Sequence, residues 1–496
     1  MEFDKEYLCL EQNTCVFSKS IDFDQDYQEV LAQYCDDILR VIKCTSKSVV
    51  TSVDYNFNEI KIYGKTLINV TYFNENSVLS YVDFEEEFSK SISIDKLSEN
   101  AVVWANCCDK YTNFRVINQR RVDIHTSFTI FVKAYDKVTC PSVKACDNSK
   151  LKKSVIKSSD LLTTQISKCE FEEQFSIPSD SEPIKRIVGY SGFVTHNETK
   201  TIKDKALVKA TVTINVLYTQ DCDEDLISKC EYSFEISKII DIPGLCDGDV
   251  VISNLCLSNV YLKSKNGAND CLNLIDVIGD VAINISVIRE KEITIVADGY
   301  VVNKNTNCTY SDFKCYCNSK HLCDTATRTI TVSCNDDIIE LLDLSLDIGD
   351  VAFKNNKFTA KILSCAFYKT DENTLASCSC SNDVDIIECD RNSVIASVNI
   401  QCFDYVLREN GSIDVRITLK YNAYFYDEAN KQVLSEIDVD ESNVNYPALT
   451  IYFGKKNESV WNIAKSFCSD MDMIIKENAL DSDVLNTNKI LLIPGI

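Results

Sequence analysis

Apolar and polar residues alternate along most of this chain. Val208, Ala210, Val212, Ile214, Val216 and Tyr218 share one parity, as do Val277, Gly279, Val281, Ile283, Ile285 and Val287. Ile413, Val415, Ile417, Leu419, Tyr421, Ala423 and Phe425 make a third such run. A period of two sends one row of side chains to a core and the other toward water, the pattern of a strand. The β-branched residues that fill these runs suit that conformation. Asn56-Phe57-Asn58 and Asn355-Asn356-Lys357 interrupt the alternation with residues that favour turns.

The runs belong to one long unit written three times. Each copy opens on a short apolar stretch: Ile38-Leu39-Arg40-Val41, Ile184-Lys185-Arg186-Ile187 and Ile338-Ile339-Glu340-Leu341. Each then reaches an aromatic end, Val70-Thr71-Tyr72-Phe73, Val216-Leu217-Tyr218 and Ala366-Phe367-Tyr368. The second halves open on Val102-Val103-Trp104, Val250-Val251-Ile252 and Val394-Ile395-Ala396. Recurrence at this period predicts tandem modules, and strand–turn–strand units at this spacing predict small antiparallel sandwiches or barrels, one per copy. The expected boundaries are an acidic lead-in at 1–37, repeats at 38–137, 184–290 and 338–440, a linker or connecting strands at 138–183, a Cys-rich connecting segment at 291–337, and a separate tail at 447–496. Within the lead-in, Gln25 to Tyr34 reads as one amphipathic helix.

The tail breaks the pattern. A short strand, Thr450-Ile451-Tyr452-Phe453, precedes Val460, Trp461, Ile463, Ala464 and Phe467 at helical spacing, with Ser459 placed to cap them. A second helix starts at Asp470, with Met471, Met473, Ile474 and Ile475 expected to face inward, and ends near Asn478. Ile490-Leu491-Leu492-Ile493 closes the tail as a strand before Pro494-Gly495. The fold class expected for the whole chain is therefore mostly β, three tandem antiparallel repeats followed by a small βααβ module.

Composition narrows what such a chain can do. Its 75 Asp+Glu against 51 Lys+Arg give a formal charge of −24, which excludes the cation-driven binding of nucleic acid and a polybasic membrane surface. No stretch offers the roughly 18 apolar residues of a spanning helix, and the acidic start Met-Glu-Phe-Asp-Lys-Glu-Tyr does not read as a signal peptide. A cytoplasmic origin is expected, where thiols begin reduced. There is no P-loop or Gly-x-Gly-x-x-Gly.

The tail resembles the LysM domain over its whole length, from Tyr452 through Asn478-Ala479-Leu480 to Leu491-Leu492-Ile493-Pro494-Gly495. Where LysM turns usually carry Gly this chain has Asn457 and Asn488, and Asn tolerates positive φ best after Gly. The usual Gly-Asp-Thr reads Asn457-Glu458-Ser459. Those turns approach N-acetylglucosamine chains in glycan-binding LysM domains, so the departures bear on sugar binding and leave the fold intact. With that ending, the opening Ile-Leu-x-Val, the central Val-Leu-Tyr and Ile240-Asp241-Ile242-Pro243-Gly244 resemble the SPOCS domain (spore coat structural domain) of endospore-forming Firmicutes. The resemblance implies a scaffold in the mother-cell cytoplasm at the forespore surface, later part of the spore coat. It also implies a LysM contact with a basal-layer coat protein, the ATPase of the coat-assembly platform, and contacts of the repeats with other coat proteins. Binding to peptidoglycan, and self-assembly into a disulfide-cross-linked surface layer or appendage, are alternatives, as is a wall-bound enzyme.

The candidate binding residues are Asn457, Glu458, Ser459, Trp461, Asn478 and Asn488, which would meet a protein partner or N-acetylglucosamine. His125, His196 and His321 are the chain's three histidines. His125 reads as part of a strand and His196 as part of a polar turn, and no nucleophile–base order accompanies them, so no catalytic residue is expected. Cys308, Cys315, Cys317, His321 and Cys323 fall close enough in sequence to suggest tetrahedral ligation, but the spacing is not that of a zinc knuckle. No metal or cofactor is expected. Among 25 cysteines, Cys107, Cys108, Cys315, Cys317, Cys378 and Cys380 are the candidates for cross-linking, with burial as small hydrophobes the other reading.

Overall fold

The computed structural model describes residues 4–179, 181–222, 226–267, 271–372, 374–408, 411–443 and 447–495. Six strands make up the first third: β1 (Lys5–Val30), β2 (Ile38–Tyr55), β3 (Glu59–Asn74), β4 (Leu79–Ser93), β5 (Val102–Asn118) and β6 (Arg121–Cys146). The second third holds β7 (Ser149–Ser176), β8 (Ile184–Ile202), β9 (Lys205–Gln220), β10 (Ile227–Asp241), β11 (Val250–Asn266) and β12 (Leu272–Val301). The last holds β13 (Lys304–Ser333), β14 (Ile338–Lys354), β15 (Lys357–Thr370), β16 (Leu375–Glu388), β17 (Ser393–Leu407) and β18 (Ser412–Asn443). A tail follows, with β19 (Leu449–Gly454), α1 (Val460–Ser466), α2 (Met471–Glu477) and β20 (Lys489–Pro494).

The same strand order recurs in each third. A meander forms one antiparallel sheet (β2-β3-β4, β8-β9-β10, β14-β15-β16), and the flanking strands form another (β1-β6-β5, β7-β12-β11, β13-β18-β17). Alternation explains the packing. The three parity runs read from the sequence are buried throughout, and each shares a core with the facing sheet of its own third. In the first third, Ile60 and Ile62 of β3 meet Phe128, Ile130 and Val132 of β6.

Irregularities repeat as faithfully as the strands. The register of β2 on β3 slips past residues 39, 42 and 51, that of β8 on β9 past 185, 188 and 197, and that of β14 on β15 past 339, 342 and 349–350. A bulge re-aims the side chain it carries. Here Ile42, Val188 and Leu342 leave their own cores and meet in one cluster with Leu79, Leu217 and Phe367. The three units are thus arranged round a pseudo-threefold axis, with an apolar cluster at its centre.

The outer strands are longer than the sequence reading allowed. The stretch expected as a lead-in is strand β1, paired with β6 along its length, and no helix forms at Gln25–Tyr34. Tyr27 and Leu31 are buried four residues apart, which mimics a helical stripe. The ladder to Arg121–Thr126 sets the local conformation instead. The Cys-rich segment at 291–337 is likewise largely strand, and the connecting strands expected at 138–183 form as the end of β6 and as β7. β6 turns into β7 through Asp147-Asn148, and β12 into β13 through Val302-Asn303, with φ of 54° at Asn148 and 65° at Asn303. Two-residue hairpins demand such positive φ, and Asn supplies it.

Candidate functional site

One face of the tail carries a row of exposed apolar side chains. β19 and β20 pair antiparallel, with Ile451 opposite Leu492 and Phe453 opposite Ile490. Period two turns Tyr452, Leu491 and Ile493 toward the helices. It turns Leu449, Ile451, Phe453, Ile490 and Leu492 to solvent, Phe453 being 71% exposed. Lys455, Lys456 and Lys489 stand at the Phe453 end of this face.

The opposite side of the tail is docked on the body. Asp298 follows a register slip in β12 and accepts from Trp461 Nε1 (2.8 Å), Lys465 Nζ (2.5 Å) and the Tyr310 hydroxyl (2.7 Å). Burial would raise its carboxyl, and these donors outweigh that and hold it below the usual carboxylate range. The Tyr300 ring meets Trp461 edge-on at 5.2 Å, and its hydroxyl donates to Ser469 O at 2.9 Å. Lys150 pairs with Asp470 and Asp472.

The candidate binding residues therefore divide. Trp461 is 8% exposed and committed to Asp298 and Tyr300, so its ring is not free as a sugar platform. Asn457 holds the turn at φ 67°. Asn488 Oδ1 accepts from Lys456 N and ties the two turns together at 2.8 Å. Glu458 accepts from the Tyr452 hydroxyl and Lys455 N, and Asn478 bridges α2 to Leu492 of β20. Ser459 occupies the cap position of α1 without a side-chain capping bond, whereas Asp470 caps α2 through Asp472 N and Met473 N. Met473, expected inward, faces solvent, while Ile474, expected inward as well, is buried in the core.

A second feature was invisible in the sequence. Between the three units lies a cavity of about 850 Å³, lined among others by Lys47, Cys107, Cys108, Phe193, Cys256 and Asp347. At its wall Lys43 of the first unit pairs with the buried Asp343 of the third at 3.2 Å, while Ser191 of the second donates to the same carboxylate at 2.9 Å. Lys229 of the second unit lies 3.8 Å from it. Burial lowers the Lys43 amine and Asp343 more than offsets this, so the net shift is upward. Further along β2, Lys47 pairs with Asp347 of the third unit and lies 4.0 Å from Asp109. Burial pushes Asp109 up to about 6 against the pull of Lys47.

The sequence candidates for cross-linking are mostly shielded. Cys107 and Cys315 are buried, Cys108, Cys317 and Cys380 half-buried, and Cys378 is joined to Cys334. Burial raises the Cys107 and Cys108 thiols, which depletes the thiolate that exchange requires. The exposed thiols are Cys9, Cys246, Cys271, Cys323 and Cys402. Cys308 to Cys323 run along one strand, β13, at about 3.3 Å per residue, which spreads the suggested ligands apart. His196 lies in β8 rather than in a turn; it is buried against Thr199, and burial lowers it to about 4. His321 bonds Asn422, and His125 bonds Asp26 at the surface.

Comparison with known proteins touches the middle unit. A family model described as SipL, SPOCS domain, matches residues 183–263, the stretch from β8 through β11. The middle unit is thus similar to a SPOCS domain, a likeness that suggests a role connected with sporulation and the spore coat. No curated protein and no solved structure matches it. Among the described residues no helix is long and apolar enough to cross a membrane.

Proposed function

We propose that this protein is a non-enzymatic scaffold of the spore coat, akin to the clostridial coat morphogenetic protein SipL. The match over β8–β11 carries the reading. The first and third units repeat the strand order and bulges of the matched one, which supports three SPOCS-type modules. The tail is proposed to be a LysM-type module that docks on a basal-layer coat protein, the ATPase of the coat-assembly platform. The protein would work at the forespore surface in the mother cell and remain in the coat. Two observations favour a protein over peptidoglycan as the tail's partner. Trp461 is spent on the body, and the free face is apolar, like the core of a protein interface.

The test is a pull-down of the full-length chain on the immobilised basal-layer ATPase and, separately, on purified peptidoglycan. Retention on the ATPase, lost in Phe453→Asp, is expected. Retention on peptidoglycan alone, indifferent to Phe453→Asp, would replace this reading by wall binding.

A further inference from the structure

We propose that the free edge of β17 joins two copies of this chain, by antiparallel pairing of residues 404–408 with the same residues of the second copy, centred on Val406. β17 is the edge of the sheet β13-β18-β17. Among the described residues, the bonds and ring contacts that tie it to the middle unit end with Thr195 on Ile400 O and Phe193 on Phe403. Beyond them Asp404, Tyr405, Val406, Leu407 and Arg408 are exposed, Val406 by 58%. An edge of this kind, apolar and unpaired, is a template for another strand.

The other two units supply an internal control. β5, β11 and β17 slip register on their partners at the same point, past residues 110, 258 and 401. Counting from these bulges, Val406 corresponds to Arg115 in the first unit and Lys263 in the second. A cation in the middle of an edge strand is a standard guard against edge-to-edge pairing, because a second strand would bring two like charges together. Only the third unit lacks it.

The sequence of that edge is self-complementary. A twofold axis through the joint sheet keeps outward side chains outward, so only a register centred on a residue is allowed. Centring on Val406 sets Asp404 against Arg408 of the second copy, and Tyr405 against Leu407, with Val406 meeting its own counterpart. Centring on Tyr405 or Leu407 leaves Asp404 or Arg408 unpaired. Arg408 now donates to Asp414, which holds its side chain alongside the strand. The joint sheet would run β13-β18-β17 and back through the second copy. A dimer so formed presents two tails, doubling the attachment of the proposed scaffold to its layer. The tail takes no part in it, so the dimer and the docking fail or succeed separately.

The measurement is the mass of the full-length chain by sedimentation velocity across a concentration series. Dimer is expected in the micromolar range. Val406→Lys, which writes the middle unit's residue into the third, should weaken dimerisation by roughly 100-fold, since like charges meet at the centre. Asp404→Arg should weaken it by about 10-fold, and Asp404→Arg with Arg408→Asp should restore it. All three positions are exposed, and an unchanged circular dichroism spectrum confirms the fold. A chain that stays monomeric at about 100 μM, roughly a hundredfold above a micromolar Kd, or a dimer indifferent to Val406→Lys, overturns the proposal.

Discussion

The cores inside the units and the axis between them follow opposite rules. At equivalent core positions the residues are alike or freely exchanged within apolar types. Tyr72, Tyr218 and Tyr368 are each 1% exposed, and Ala134, Val287 and Phe425 fill one site in different units. At the axis the apolar bulge residues Ile42, Val188 and Leu342 still follow the core rule, but the polar positions are individual: Lys43, Gly189 and Asp343 correspond, as do Lys47, Phe193 and Asp347. Apolar burial is non-directional, so three similar cores build three similar units and say little about how they meet. A lysine in one unit facing an aspartate in another, with Ser191 of the remaining unit on the same carboxylate, makes the contacts unlike and fixes which faces adjoin.

That contrast predicts where single changes hurt most. Asp343→Ala leaves the Lys43 ammonium 5% exposed and without its carboxylate. Removing one member of a buried pair costs about 3–5 kcal/mol, because the remaining charge stays desolvated. The denaturant midpoint should fall accordingly. If it is unchanged, the axis holds no charge in the folded protein and the comparison collapses.

The axis should also respond to pH where the cores do not. Asp109, 8% exposed, has its carboxyl raised to about 6 from an ordinary 3.8. A raised folded-state value means the protonated form suits the fold. Its contribution is therefore full below about 4 and is lost as pH climbs through about 6, an effect on the order of 3 kcal/mol. Asp109→Asn should flatten that part of the stability–pH profile. A profile of unchanged slope in the variant would mean that other carboxylates carry it.

How much of this was legible follows from the same division. The alternating runs and the three opening stretches were readable, because a buried strand face needs an apolar residue at every second position whatever packs on it. The strands starting at Ile38, Ile184 and Ile338 begin where the sequence places them. β1 and β13 were missed because their outward rows are charged or thiol-bearing and their inward rows carry Gln12, Thr14 and Cys315. Pairing with a distant strand, not local pattern, makes them extended. The tail's βααβ order was legible from helical spacing. Its outward apolar strand faces were not, since Phe453 and Tyr452 look alike until the pleat is known. The axis was beyond reach. Nothing in a chain with 75 carboxylates marks Asp343, whose partners stand 300 and 152 residues away.

A gentler change sharpens the claim that cores are interchangeable. Ile130 and Ile283 occupy the same place in the first and second units, at 0% and 1% exposure. Ile→Val at either should cost about 1 kcal/mol by loss of one buried methylene, and the two costs should agree within about 0.5 kcal/mol. Thermal denaturation of both variants measures this, and a large inequality would mean that the units are not equivalent frameworks.

The smallest effect on stability should come from the largest chemical change. Replacing both members of the axial pair, Lys43→Met with Asp343→Leu, removes two desolvated charges together. Buried pairs exchanged for apolar residues of similar volume are commonly neutral or stabilising. Here Ser191 loses its acceptor, at a cost of about 1 kcal/mol, while Lys229, with its side chain 35% exposed, can turn to water. The net shift should lie within about 1 kcal/mol of zero, several-fold less than for Asp343→Ala alone. What the pair contributes would then show as definition of the contact. Amide exchange in β2 near Lys43 and in β14 near Asp343 should quicken, while exchange at Ile130 and Ile283 stays unchanged. A loss of stability equal to that of Asp343→Ala would instead make the pair a source of stability, and the axis would differ from the cores only in chemistry.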